Sequence, residues 1–180
     1  MDYTDIVGSR RGKVFALSPE NPTGARGGGA QGKPWEKNHP CVTIAPGQTL
    51  TVADKDGPGF IRNMWFGGDM QPCIVLRIYW DGQDYPSVEA PLNAFFGYGY
   101  PENIQDQSGA FPTLNSAMIL CAPCRGMNSY WPMPFRSHCR ITLTNRSPGK
   151  SVVTYPSPGR MNLCRQTRSI FMPPTVRPSP

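Results

Sequence analysis

Turn-forming residues interrupt this chain so often that long helices are excluded. The 180 residues include 19 glycines and 21 prolines, and both residue types are unfavourable inside helices. Short runs of β-branched and aromatic residues recur between these interruptions, with turn signals about every 8–12 residues, which is typical of all-β domains. The sequence therefore predicts an all-β fold, and among such folds a β-sandwich, a barrel or a jelly roll.

The strand signals are clearest where apolar and polar residues alternate, or where several β-forming residues follow each other. The predicted strands are 42–44, 49–52, 60–66, 74–80, 87–89, 117–121, 128–132 and 139–144, with a single helical turn at 92–96. Pro46-Gly47 and Asp81-Gly82 predict tight turns. Residues 1–40 have neither the helical nor the strand period, which predicts an ordered loop or an arm.

The positive charge of the chain is concentrated at its C-terminal end. The net charge is +6, but residues 156–180 hold four arginines and no acid, which leaves 14 basic and 12 acidic residues elsewhere. These arginines lie among prolines and form neither a helical stripe nor an aromatic-interleaved motif, so we expect no nucleic-acid partner.

The sequence also bears on the compartment. No apolar run approaches the roughly 20 residues of a membrane helix, so we expect no membrane partner. The chain opens with acids where a signal peptide has lysines, and without an export signal the six cysteines are expected to be buried thiols. We therefore expect a cytoplasmic protein.

Several phrases of the sequence resemble one protein family when they are taken in order. The phrases are Glu20-Asn-Pro-Thr-Gly24, Asp56-Gly-Pro-Gly-Phe-Ile-Arg62 with Trp65-Phe66, Arg77-Ile-Tyr-Trp-Asp-Gly82, Pro86-Ser-Val-Glu-Ala-Pro-Leu92 with Phe95-Phe-Gly97, and Tyr130-Trp-Pro-Met-Pro-Phe135. Together they resemble glycoside hydrolase family 172, the α-fructofuranosidase and difructose-anhydride-synthase group. The resemblance is collinear from about Ser18 to Asn145 and favours the jelly roll among the β folds.

The resemblance implies two tandem jelly rolls, assembly into homo-oligomeric trimers or hexamers, and retaining chemistry on fructofuranosides or arabinofuranosides. Such chemistry uses two carboxyl groups, and in the family both are glutamates of the second roll. This chain covers the first roll, so we assign it no catalytic residue and no cofactor and expect it to be inactive as a truncated chain. Asn93-Ala94 also departs from the Gly-Asp of many relatives. A non-catalytic carbohydrate-binding or assembly jelly-roll module is the alternative.

The sequence pattern changes after Val153, where strands give way to a basic, proline-rich run. Back-translation from the third base of each codon permits family-like phrases over 160–168 and 169–176, which indicates a reading-frame change near Tyr155-Pro156. We therefore predict three parts, an N-terminal arm or loop at 1–40, a jelly-roll domain at 41–155, and a frame-shifted, disordered tail at 156–180.

Carbohydrate contacts are predicted at aromatic and polar side chains within or beside the matching phrases. The candidate substrate-binding residues are Trp65, Glu89, Asn128, Tyr130, Asp81 and Arg136. Trp65 is preferred to Trp80 and Trp131 for stacking on a sugar because it follows a turn, although a strand tryptophan more often belongs to the core. Asp81 has a competing and simpler interpretation as a turn residue. Arg136 could instead pair at an interface.

Metal and thiol chemistry receive little support from the sequence. Cys121 and Cys124 have the spacing of metal ligands, and His138-Cys139 offers two further ligand types, but a zinc site normally shows a second pair at defined spacing. A cysteine nucleophile needs a base, and nothing in the sequence pairs either histidine with a thiol. We therefore predict no metal site.

Overall fold

The structure, a computed structural model, describes residues 12–29, 31, 41–68, 72–98, 114–122, 126–154 and 161–166. Fourteen strands and one short helix lie in these ranges. The strands are β1 (Gly12–Leu17), β2 (Val42–Ile44), β3 (Thr49–Asp56), β4 (Gly59–Ile61), β5 (Met64–Gly68), β6 (Ile74–Trp80), β7 (Val88–Pro91), β8 (Leu114–Asn115), β9 (Ile119–Ala122), β10 (Gly126–Ser129), β11 (Met133–Phe135), β12 (His138–Asn145), β13 (Ser151–Thr154) and β14 (Met161–Gln166). The helix is α1 (Leu92–Phe95).

The strand pairs are nested like those of one long hairpin. β1 pairs with β14, β2 with β13, β3 with β12, β4 with β11 and β5 with β10, and every pair is antiparallel. Nested antiparallel pairs distributed over several sheets are what a long hairpin produces when it is rolled up, which is the architecture of a jelly roll. The predicted all-β jelly-roll sandwich is therefore confirmed.

The nested pairs lie in three sheets. Sheet I has the strand order β2-β13-β5-β10-β9-β8, sheet II has the order β3-β12-β6-β7, and sheet III has the order β1-β14-β4-β11. Buried side chains from sheets I and II belong to one hydrophobic core, so these two sheets form the layers of a sandwich. Each of them consequently has an inner face on the core and an outer face directed away from it.

Alternation along the strands decides which side chains enter the core. On β5 of sheet I, Met64 and Phe66 are fully buried while Trp65 between them is half-buried. On β6 of sheet II, Leu76 and Ile78 are fully buried and Arg77 between them is not. The inner face is completed at one end by edge-to-face contacts among aromatic rings near α1, where the ring centroids of Phe66 and Phe96 lie 5.9 Å apart.

Both predicted tight turns are present. The N–H of Gln48 donates to the carbonyl of Ala45 at 3.0 Å across Pro46-Gly47, with Gly47 at φ 73°. After β6, the N–H of Gln83 donates to the carbonyl of Trp80 at 3.0 Å. The two central residues of that turn, Asp81 and Gly82, have φ values of 53° and 80°. Two successive positive φ values are the geometry that Asp-Gly dipeptides favour.

The structure departs from the predicted elements at several places. Gly12–Leu17 forms β1 within the segment predicted to be a loop or an arm. The predicted strand 60–66 is divided between β4 in sheet III and β5 in sheet I, because the chain leaves one sheet for the other at Arg62-Asn63. The predicted strand 128–132 ends at Ser129, and Pro132, which has no N–H to give to a ladder, lies beyond it.

The predicted tail is described only in part. Met161–Gln166 forms β14, which lies between β1 and β4 in sheet III. The rest of the predicted tail lies outside the described residues, so its disorder remains a prediction, as do the three domain boundaries. In the ranges that the structure describes, no helix is long and apolar enough to span a membrane.

Candidate functional site

The six predicted site residues occupy three separate places. Trp65, Asn128 and Tyr130 lie on the outer face of sheet I. Glu89 lies on the outer face of sheet II. Asp81 and Arg136 lie in two turns that contact each other. The structure thus brings three of the six residues together on one surface and leaves the other three elsewhere.

Trp65 and Asn128 are direct neighbours on the outer face of sheet I. Trp65 on β5 is paired in register with Asn128 on β10. Asn128 is paired with Leu120 on β9, and Leu120 is paired with Asn115 on β8. Because residues in register on antiparallel strands share a face, these four side chains form one row across four strands. We call this row, together with Tyr130, the outer row.

Two side chains of the outer row are held by local contacts. The amide Nδ2 of Asn128 donates a 3.0 Å hydrogen bond to the carbonyl of Leu120. Trp65 lies against Gly126, where an added Cβ would be only 2.9 Å from the indole Nε1. The glycine therefore leaves the space that the half-buried indole occupies, and the orientations of the amide and of the ring are both fixed before any ligand binds.

Tyr130 extends the same surface beyond the end of β10. Its backbone N–H donates to the carbonyl of Met118 at 2.8 Å, which continues the β9–β10 ladder by one pair. Tyr130 is two residues after Asn128 and therefore lies on the same face, with 43% of its surface exposed. Leu120 and Asn115 were not predicted as site residues. The alternation in the strand predicted at 117–121 could have found Leu120, because it puts Leu120 on the other face of the strand from Ile119 and Cys121, which are buried.

Glu89 is engaged in ion pairs on the other outer face. Its Oε2 accepts a 2.8 Å hydrogen bond from Nε of Arg77, and Nη2 of Arg146 lies 3.9 Å from its Oε1. The hydrogen bond from Arg77 lowers the pKa of Glu89; the charges of Arg77 and Arg146 act in the same direction, and desolvation opposes them. Arg77 also donates to Oγ1 of Thr144 at 2.8 Å. Glu89 is therefore part of a charged network on sheet II.

Asp81 binds the backbone of a neighbouring turn. Its Oδ1 accepts hydrogen bonds from the N–H groups of Arg136, Ser137 and His138 at 2.9, 2.7 and 3.2 Å. Desolvation alone would raise the pKa of Asp81, but the N–H groups of Ser137, His138 and Arg136 outweigh it and lower the pKa. This geometry supports the interpretation of Asp81 as a turn residue. Arg136 meets Asp81 through its backbone N–H.

The other two tryptophans considered for sugar contact differ from each other. Trp80 is stacked on Phe135 with ring centroids 6.3 Å apart and an interplanar angle of 8°, and it packs against the core. Trp131, next to Tyr130, is 51% exposed. Trp80 therefore serves packing, whereas Trp131 is available at the surface.

Cys41, Cys73, Cys121 and Cys139 are free thiols. Cys121 and Cys139 are buried as expected, but Cys41 is exposed and Cys73 is half-buried, so the expectation of burial is wrong for Cys41. Burial raises the pKa of Cys121 and raises that of Cys139 to about 12. A thiol with a raised pKa is a poor nucleophile at neutral pH. Within the described ranges, no three His, Cys, Asp or Glu side chains are grouped so that they could hold a metal ion.

Comparison with known protein families gives one match. The family model for the GH172 first beta-sandwich domain, in which GH172 stands for glycoside hydrolase family 172, matches residues 30–155. This range contains strands β2 to β13, which include every strand of sheets I and II as well as β4 and β11 of sheet III, and all six predicted site residues. A search of curated proteins gives no match to this chain.

Proposed function

This chain belongs to glycoside hydrolase family 172 and carries the family's first β-sandwich domain, and we propose that it is the N-terminal part of a hydrolase that acts on fructofuranosides or arabinofuranosides. Its part in that hydrolase is to provide scaffold, subunit interface and sugar contacts. The two catalytic glutamates implied by the family belong to the second jelly roll. A chain of these 180 residues is accordingly inactive by itself. Family membership is the observation that carries this proposal.

The electrostatics of Asp81 and Glu89 are consistent with a non-catalytic role for these two residues. The acid in glycoside hydrolysis needs a raised pKa so that it keeps its proton at neutral pH. Glu89 and Asp81 have lowered pKa values, because Arg77 and the backbone N–H groups of the 136–138 turn stabilise their charged forms. Neither residue is therefore suited to act as the acid, and the proposal assigns them to structure and to binding.

The proposal is tested by adding the family's second β-sandwich domain. The purified chain is mixed with the second β-sandwich domain of a family member, and hydrolysis of a fructo-oligosaccharide and of 4-nitrophenyl α-L-arabinofuranoside is measured. We expect no turnover with either half alone and turnover with both. Turnover by this chain alone would refute the assignment of catalysis to the second domain. Failure of the mixture on both substrates, with the halves shown to associate, would refute the proposed substrate class.

A second candidate function is a non-catalytic carbohydrate-binding or assembly module. The exposed rings of Tyr130 and Trp131 favour it, because aromatic surfaces at a protein's exterior commonly bind ligands or partners. Affinity for a glycan in the absence of the second domain distinguishes this candidate from a pure scaffold. Sedimentation velocity decides whether this chain forms the homo-oligomeric trimer or hexamer implied by the family.

Cytoplasmic location is also part of the proposal. It is supported by the free state of Cys41, Cys73, Cys121 and Cys139, of which the first two are not buried, because exposed thiols persist in reducing compartments. Fractionation of expressing cells with a tagged chain tests it, and recovery of the chain from the medium or the periplasm would contradict it.

A further inference from the structure

The two outer faces of the sandwich differ in charge. The outer face of sheet II carries acidic or basic side chains on all of its strands, among them Asp54, Arg77, Glu89 and Arg140. The described residues 114–122 and 126–130, which supply β8, β9 and β10 of sheet I and end at Tyr130, include no Asp, Glu, Lys, Arg or His. Charged residues make up 17% of the whole chain, so two neutral segments of this length distinguish this side of the sandwich from the outer face of sheet II.

The neutral surface is nevertheless accessible to solvent. Leu120 and Tyr130 are 37% and 43% exposed, and Asn115 is exposed as well. The Oδ1 atom of Asn128 accepts no hydrogen bond from the described residues, while its Nδ2 is fixed on the Leu120 carbonyl. The outer row thus offers apolar and aromatic patches that alternate with amide groups able to donate and accept hydrogen bonds.

The size of the outer row limits what it can bind. Neighbouring strands lie about 4.8 Å apart and residues along a strand about 3.3 Å apart, so the four strands and the two-residue step from Asn128 to Tyr130 span about 14 by 7 Å, or roughly 100 Å². A stable protein interface buries roughly 800 Å² on each partner. The outer row by itself is therefore much smaller than a protein interface, and its dimensions match a ligand of a few rings.

We propose that the outer row, formed by Trp65, Asn115, Leu120, Asn128 and Tyr130, is a binding surface for a neutral oligosaccharide. A sugar ring has an apolar C–H face that packs on an aromatic or aliphatic side chain, and hydroxyl groups at its edge that bond to amides. None of the five side chains of the outer row is cationic, whereas phosphates and carboxylates are recognised through cationic partners. The inference deepens the proposed function, because it gives the scaffold domain its own glycan contact.

The test uses the full chain and measures binding by isothermal titration calorimetry. The probes are a neutral fructo-oligosaccharide, a neutral arabino-oligosaccharide and an anionic oligogalacturonate. We expect binding of at least one neutral probe and none of the anionic probe. Tyr130→Ala and Asn128→Ala should each weaken binding by about tenfold or more, as truncation of a contact at the centre of a site does. Tyr130→Phe should retain most of the affinity, because the ring remains.

Tyr85→Ala is the matched control, since Tyr85 is 67% exposed in the loop after β6 and lies outside the outer row. Equal effects of Tyr85→Ala and Tyr130→Ala would overturn the proposal, as would tighter binding of the anionic probe or no binding of either neutral probe. Dimerisation of the wild-type chain that Tyr130→Ala abolishes would overturn it in favour of a second copy as the occupant. Hydrolysis restored by the second domain without any glycan binding by this chain would overturn this inference and leave the proposed function standing.

Discussion

The carboxylate of Asp81 accepts the backbone N–H of Ser137 at 2.7 Å, and this contact connects the turn after β6 to the turn before β12. The N–H groups of Arg136 and His138 and the hydroxyl of Ser137 donate to the same Oδ1 atom. In return, the N–H of Asp81 donates to the carbonyl of His138 at 2.8 Å. β6 and β12 are adjacent in sheet II, so Asp81 closes one end of the sheet.

Replacing Asp81 with asparagine should destabilise the domain. Asn tolerates the positive φ of this position as well as Asp does, so the change isolates the loss of charge. Charge-assisted hydrogen bonds are about twice as strong as neutral ones, and because this carboxylate is exposed we expect a loss of about 1 kcal/mol in the free energy of unfolding. Urea denaturation measures it. Asp84→Asn, in the same loop, is the control and should change the stability by less than about 0.5 kcal/mol; equal effects of the two variants would contradict the prediction.

The contribution of Asp81 should depend on pH. Its pKa in the folded protein is lower than the ordinary value of 3.8, so the folded state releases this proton more readily than the unfolded chain. The stabilisation is therefore fully present above pH 3.8 and is lost as the pH falls through the folded pKa. The stability difference between the wild type and Asp81→Asn, measured at neutral pH and again well below pH 3.8, should shrink in acid. A difference that is constant across this range would show that the charge is not responsible.

Local sequence patterns are sufficient for much of the fold. The run 74–80 predicts β6 because β-formers are concentrated there, and Asp81-Gly82 predicts the turn that follows it. β1 was missed because glycines dominate the segment around it, although the inward-facing Phe15 and Leu17 already alternate with outward residues. The division between β4 and β5 is not visible locally, because it depends on which distant strand each half pairs with.

The candidate site shows the same division between local and distant information. Asn128 and Tyr130 are two residues apart, so strand periodicity alone places them on one face. Their alignment with Leu120 depends on the register of β9 with β10, and their alignment with Trp65 depends on the register of β5 with β10. β5 and β10 are about 60 residues apart in the sequence, and no local pattern specifies a register between such distant segments. The engagement of Glu89 by Arg77 likewise follows from the pairing of β6 with β7.

Gly126→Ala should disturb the indole of Trp65. A Cβ at position 126 would lie 2.9 Å from Nε1 of Trp65, which is too close for an unmoved ring, so we expect a displaced indole and a loss of about 1 kcal/mol in unfolding free energy. The Trp65 indole N–H resonance, assigned with Trp65→Phe, reports the displacement. Gly149→Ala is the control because a Cβ there meets nothing within 4 Å. An unchanged indole resonance in Gly126→Ala would show that the ring does not rest on this glycine.

The backbone of β14 should be protected from hydrogen exchange. Met161–Gln166 is paired with β1 over six residues and with β4 over three, so its amides have ladder partners on two sides, whereas residues 148–150 lie in an exposed turn. Amides in paired strands exchange only when the ladder opens, and we expect those of 161–166 to exchange at least about tenfold more slowly than those of Gly149 and Lys150 after correction for sequence. Mass spectrometry of peptides from the exchanged chain measures both segments. Exchange of 161–166 at the rate of an unpaired chain would contradict this strand and agree with the disordered, frame-shifted tail predicted from the sequence.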